Sequence, residues 1–486
     1  MLDFGEFVPL LKATQGWWAQ LAVVVDYNLT QHGRVNMVQV IAAVLKWRVF
    51  GNWTPGWQLA QAATMSGVIV LSLLLLRRLG ATAFGAAVGA SIFLFAPAAA
   101  PGWIRVTMAE PIAMIAVLAL ALRATRFQQR ARWSRDVWWF ALGTLFVLQT
   151  KELMAPALLI PLTLALSTQP DGSPSRPHWS RRNVILVVAV GIATIATLIP
   201  LAFIYLNASS NAFASQYGSG SQSFGGLIVI WLSTLVPFVV VPGRPSVMWA
   251  GAVAAFIGIL ASGWWIAFHD PADRSSARRI FAVSIAFPVL GALSYAPWPM
   301  YEERYSFPYL LGTCVLLGMS ASYLQRRTKS GILAGCSAWA VMFAFGLGNA
   351  AAQASRADAA QRTVDRVVHT VAAQPGIDSI FVGTIGETTP AWIGIGPTLF
   401  RLAKATDRPW RPTRDVRCAD IERLRGSRLR VAFVAFASSC GEVASPTFRL
   451  TANHRFIDWT TWRVRSDSVQ AYIIIPETSI SGRGQP

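Results

Sequence analysis

The stretch GVIVLSLLLLRRLG, residues 67–80, closes an apolar run that begins near residue 58 and ends on the pair Arg77 and Arg78. A helix that spans a bilayer needs about 20 mostly apolar residues. The pattern recurs along the chain, with further apolar runs at 82–99, 108–122, 137–150, 153–168, 183–206, 226–242, 248–268, 280–297, 306–324 and 331–348. These read as helices, because a segment in hydrocarbon must satisfy its backbone groups internally. Composition agrees: 54% of the residues are hydrophobic and only 13% are charged, against roughly a quarter charged in a soluble domain. The chain is therefore read as an α-helical polytopic membrane protein, and a single core buried in water is excluded.

Basic residues punctuate these runs. Arg77 and Arg78; Arg123, Arg126, Arg130, Arg132 and Arg135; Arg176, Arg181 and Arg182; Arg274, Arg278 and Arg279; and Arg326, Arg327 and Lys329 form five clusters, and the positive-inside rule places all five in the cytoplasm. Threading the runs between them works at every step except 226–242, which would invert the remainder if it crossed. That run, LIVIWLSTLVPFVVVP, is read as re-entrant or interfacial, which leaves ten full crossings. The same path places 207–226 outside, and this loop contains no Lys, Arg, Asp or Glu.

The net charge of +19 follows from these clusters and fits contact with anionic lipid head groups. It is not read as nucleic-acid binding, because no recognition motif accompanies it. Cys314 and Cys336 fall in apolar runs and read as ordinary buried thiols. Cys418 and Cys440 lie in the polar tail and form a candidate disulfide if that tail meets an oxidising compartment. Three regions follow: residues 1–57, an external loop with amphipathic helices; 58–348, the transmembrane bundle; and 349–486, a small external α/β domain. Strand-like runs in the last region are DSIFVG, RLRVAFVAF and VQAYIII.

The predicted path gathers polar groups from distant segments on one membrane face: Asp3, Glu6, Asp26 and Arg34 before the first run, Arg105 and Glu110 in PGWIRVTMAEP, Lys151 and Glu152 in QTKELMAP, and Glu302, Glu303 and Arg304 in YEERY. Each alone could simply make a turn soluble; Lys151 beside Glu152 could be a snorkelling pair, and Glu110 and Arg105 could pair with each other. Together they read as a site assembled from loop ends on a rigid bundle. The spans themselves are almost free of ionisable residues, which argues against an ion-coupled carrier.

The stretch HGRVNMVQVIAAVLKWRVFGNWTPGWQLAQAATMSGVIVLSLLLLRRLG, then FLFAPAAAPGWIRVTMAEPIAMIAVLALAL, QTKELMAPALLIPL and YEERYSFPYLL, resembles the polytopic GT-C glycosyltransferases, such as those that transfer mannose or aminoarabinose from a polyprenyl phosphate. The likeness covers roughly residues 1–325. It implies a GT-C-like bundle of ten or eleven transmembrane or re-entrant helices in a membrane such as the bacterial inner membrane, with its site facing the periplasm or exterior. It implies a polyprenyl-phosphate sugar as donor and a lipid, polysaccharide or protein as acceptor. It also implies a first span ahead of Asp3, so an upstream helix is expected before Met1. On this resemblance Asp3 is the catalytic base, with Glu6 its rival. Arg304, Lys151 and Arg34 receive the phosphate charge, and Glu110 and Arg105 orient sugar hydroxyls. Glu152, Glu302 and Glu303 complete the substrate-binding set, and a divalent cation near Asp3 is compatible but not required. Other functions that would use an Arg-lined external cavity are a transporter or flippase of lipid-linked glycans, and a polymerase or ligase.

Overall fold

The computed structural model describes residues 7–29, 36–51, 53–104, 106, 108–127, 133–167, 180–207, 223–236, 247–270, 274–294, 296, 303–327, 329–373, 379–384, 431–436, 448–458 and 463–474. Asp3, Glu6, Arg34, Arg105, Glu302, Cys418 and Cys440 lie outside the described residues.

Three short helices come first: α1 (Phe7–Ala13), α2 (Trp17–Tyr27) and α3 (Met37–Phe50). They are tied by Gln20, which is buried; its Nε2 donates to Leu11 O at 2.9 Å and Thr14 O at 3.0 Å, and its Oε1 accepts from Arg48 Nε at 3.0 Å. The chain then turns at Gly51, whose φ of +48° lies in the left-handed region that favours glycine, and enters α4 (Thr54–Arg78).

The bundle continues with α5 (Ala83–Ala90), α6 (Ile92–Phe95), a 3-10 turn at Pro97–Ala99 and α7 (Ala100–Ile104). Ala96 is extended before Pro97, as expected for a residue whose α conformation is disfavoured by the following pyrrolidine ring, and the two halves of this span meet at 63°. Then follow α8 (Glu110–Ala124), α9 (Trp133–Thr150), a 3-10 segment at Glu152–Leu158, α10 (Leu159–Ser167), α11 (Arg181–Asn207), α12 (Phe224–Leu235), α13 (Val247–His269), α14 (Arg274–Ser294), a 3-10 segment at Glu303–Tyr309, α15 (Leu310–Arg327) and α16 (Lys329–Ala372).

Among the described residues, six helices are long and apolar enough to cross a membrane, or seven if the bent pair counts as one span. The protein is thus a helical integral membrane protein, but the ten full crossings of the sequence reading are not all of that kind. The runs at 108–122 and 153–168 become a helix of 15 residues and a 3-10 segment followed by one of 9, each shorter than the ~30 Å hydrocarbon layer. The run at 137–150 lies in α9, which is 18 residues long but carries Arg135 and Asp136 in its first turn. The run at 226–242 contributes the 12-residue α12, about 18 Å long.

Burial separates the centre from the rim. The apolar stretch of Ser306–Arg327 is 94% buried inside the protein, whereas the other five long spans are 28–33% buried, leaving most of their surface for lipid. Cys314, on the central helix, is fully buried; Cys336 on α16 is exposed, a correction to its reading as buried. Small residues let neighbouring backbones touch α15, as is common between helices in lipid. A Cβ on Gly263 of α13 would meet Ser320 Cα at 2.6 Å, and one on Gly89 of α5 would meet Cys314 O at 2.6 Å. Because the obstacle at Gly263 is backbone, Gly263→Val should destabilise the bundle by about 1–3 kcal/mol or more; a lower melting temperature in detergent checks this, and an unchanged one would contradict the close seam.

The arginines mark one end of the bundle. α4 ends on Arg77 and Arg78, α8 on Arg123 and α15 on Arg326 and Arg327, while α11 begins with Arg181 and Arg182 and α14 with Arg274. Side chains knit this end together: Arg123 pairs with buried Asp136 of α9, Arg326 donates to Gly80 O, and Arg327 pairs with Asp270.

Beyond the apolar part of the 44-residue α16, four strands form a sheet of order β1-β2-β4-β3: β1 (Ser379–Thr384), β2 (Val431–Phe436), β3 (Phe448–Asp458) and β4 (Arg463–Ile474). β1 and β2 are parallel and the other pairs antiparallel. β3 and β4 pack along α16.

A candidate site at the end opposite the arginines

α8 and α9 form an antiparallel pair whose Arg123–Asp136 contact lies at the arginine end. At its other end, Glu110 opens α8 and Lys151 follows α9. Both are buried, and Lys151 Nζ lies 3.4 Å from Glu110 Oε1. The local sequence explains the placement. Glu110 occupies the first turn of its helix with Pro111 behind it, where an acid is favoured by the positive end of the helix dipole and a proline needs no hydrogen-bond partner. Lys151 has extended backbone, and Pro156 within the following segment opposes a continued α-helix. The chain therefore leaves α9 at Lys151, and the lysine turns inward to Glu110 rather than out to the water.

Two irregular segments border this pair. The 3-10 segment beginning at Glu152 packs against the one at Glu303–Tyr309, and both contact α8. The latter also contacts the 3-10 turn at Pro97–Ala99. It is anchored by Ser306 Oγ, 2.8 Å from Thr234 Oγ1 of α12, and by an edge-to-face contact of Phe307 with Phe93 at 5.6 Å. Segments holding Glu110, Lys151, Glu152, Glu303 and Arg304, far apart in sequence, thus meet at one end of the bundle. The sequence reading grouped these segments on one face, but it did not select Glu110–Lys151 as a pair.

It also missed Lys46 and Gln61. Lys46 Nζ donates to Val106 O at 2.9 Å and approaches Gln61 Oε1 at 3.4 Å, while fully buried Gln61 donates through Nε2 to Gly102 O at 2.8 Å. Burial pushes the Lys46 ammonium down from 10.5 to about 8, since a desolvated cation is disfavoured. The only sequence signal was a lysine inside the apolar segment IAAVLKW, a pattern that ordinarily indicates an outward-reaching side chain. Val106, buried, belongs to an apolar cluster that includes Val40, Ala43, Val44 and Trp57, whereas Met108, two residues on, belongs to the main bundle core. The turn before Glu110 is thus held between two apolar clusters.

Among the described residues, no group of three or more His, Cys, Asp or Glu side chains is arranged to hold a metal ion. The buried Glu110–Lys151 pair, with irregular backbone around it, can place a carboxylate and an ammonium against a polar ligand without first stripping both of water. Set against known proteins, the chain matches no protein-family model and no curated sequence.

Proposed function

We propose that the protein is an integral-membrane glycosyltransferase that moves a sugar from a polyprenyl phosphate to an acceptor at the end of the bundle opposite the arginines. The observation that carries the reading is the buried Glu110–Lys151 pair at that end, beside the segments that begin at Glu152 and Glu303. The arginine-rich end faces the cytoplasm under the positive-inside rule, so the site faces the periplasm or exterior of a membrane such as the bacterial inner membrane. The tail is assigned to the same side, as an external α/β domain.

The chemistry follows from where charge develops. An acceptor hydroxyl oxygen attacks the anomeric carbon, the bond from that carbon to the phosphate oxygen breaks, and polyprenyl phosphate departs with the electron pair. A carboxylate takes the hydroxyl proton, a role assigned to Asp3 with Glu6 as its rival. The departing phosphate is received by Lys151, with Arg34 and Arg304, because preorganised cations in a dry site stabilise developing charge strongly. Glu110 and Arg105 orient sugar hydroxyls. Glu152, Glu302 and Glu303 complete the substrate-binding set.

The test uses the full chain in nanodiscs with undecaprenyl-phosphate-linked [14C]mannose or [14C]glucose and a crude envelope fraction as acceptor. Label should leave the lipid-linked donor and appear in acceptor, and Glu110→Gln should lower that rate. Recovery of all label as intact lipid-linked sugar, moved between leaflets without bond cleavage, would instead establish the transporter reading.

A further inference from the structure

We propose that Lys46 and Gln61 are positioning residues for the Glu110 carboxylate, acting through the backbone of the turn that joins α7 to α8. The inference rests on the reading of Glu110 and Lys151 as part of a sugar-transfer site. α7 has only five residues and ends at Ile104, so its last carbonyls lack the amide partners that a continuing helix would provide. Within a membrane protein such carbonyls must find donors elsewhere. Gly102 O, in α7, takes Gln61 Nε2 at 2.8 Å, and Val106 O, beyond the end of α7, takes Lys46 Nζ at 2.9 Å; Gln61 joins the two contacts by offering its Oε1 to Lys46 Nζ.

The choice of residue is informative. An amide or hydroxyl would satisfy a neutral carbonyl, yet the donor here is a partly buried lysine whose charge is disfavoured by its surroundings. It comes from α3, a 14-residue helix packed on α2 and on the start of the bundle. α3 thereby meets Val106 in two ways: its Val40, Ala43 and Val44 share one apolar cluster with the Val106 side chain, and its Lys46 donates to the Val106 carbonyl. Met108 is fixed in the main core on the other side. Only three residues separate Val106 from Glu110, so a shift of α3 is transmitted to the carboxylate and to its 3.4 Å separation from Lys151.

The experiment compares wild type, Lys46→Met, Lys46→Arg and Gln61→Leu in nanodiscs. Steady-state transfer from undecaprenyl-phosphate-linked [14C]mannose or [14C]glucose is one readout; amide exchange by mass spectrometry, without substrate, is the other. Lys46→Met should lower kcat by about 10- to 100-fold, the scale of a small misplacement of a reacting group, while leaving the donor KM within about threefold. The arginine variant should recover much of kcat, and Gln61→Leu should resemble the methionine variant. Exchange in the peptide 102–113 should accelerate in Lys46→Met, with the central helix α15 unaffected. A folded Lys46→Met with wild-type kcat, or with a wild-type exchange profile for 102–113, overturns the proposal. If Lys46→Met does not fold, Gln61→Leu and Lys46→Arg decide the same comparison. Failure of the wild-type protein to transfer any label counts against the proposed function alone, because the exchange arm is read without substrate.

Discussion

Replacing Lys151 with methionine is expected to destabilise the protein by about 3–5 kcal/mol, because it leaves the buried Glu110 carboxylate without its ammonium partner. Burial makes the effect large: the two side chains retain only 4% and 9% of their surface, so solvent cannot replace the lost cation. Glu110→Gln combined with Lys151→Met should recover most of the stability, since well-packed neutral groups often match a buried pair in energy. The double variant should nevertheless remain inactive, because no ammonium receives the phosphate. A double-mutant cycle of unfolding midpoints and transfer rates measures both. If the double variant is no more stable than the sum of the two single changes predicts, Glu110 and Lys151 are not coupled and the site as drawn is wrong.

Neutralising the catalytic carboxylate should have the largest effect on activity. Asp3→Asn or Glu6→Gln is expected to lower transfer by about 10²- to 10⁴-fold, with protein yield and melting temperature unchanged. The other substitution should leave the rate near wild type, since one base suffices to take the acceptor proton. The same pair also separates an enzyme from a transporter, which has no proton to abstract and should tolerate both changes. Measured with lipid-linked labelled sugar, full activity in both variants would remove the base assigned here.

Other parts of the site depend on shape as much as on chemistry. Ser306, Thr234 and Thr313 form a buried chain in which Thr313 Oγ1 donates to Thr234 O at 2.8 Å. It fastens the short α12 to the segment at Glu303–Tyr309 and to the central α15. Part of the run read from sequence as re-entrant or interfacial therefore supports the segment at Glu303–Tyr309 beside the candidate site. Its hydroxyls are ordinary in the sequence, and only their meeting across 72 and 79 residues gives them a role.

What the sequence by itself determined is the helical membrane class and the polarity of the helices. Apolar length and terminal arginines are local properties, and a bilayer imposes the same demand on every segment regardless of its neighbours. Prolines stand at the breaks at Pro97 and after Lys151, although the run 82–99 reads from sequence as one helix. Only the tertiary structure decided that α15 lies at the centre while helices of similar composition face lipid, because lipid and protein interiors are equally apolar and hydropathy does not distinguish them. It also decided that Glu110 meets Lys151 and that Lys46 turns inward to Val106. Which buried charge meets which partner depends on distances set by packing many residues apart, and no pattern of neighbouring residues records them.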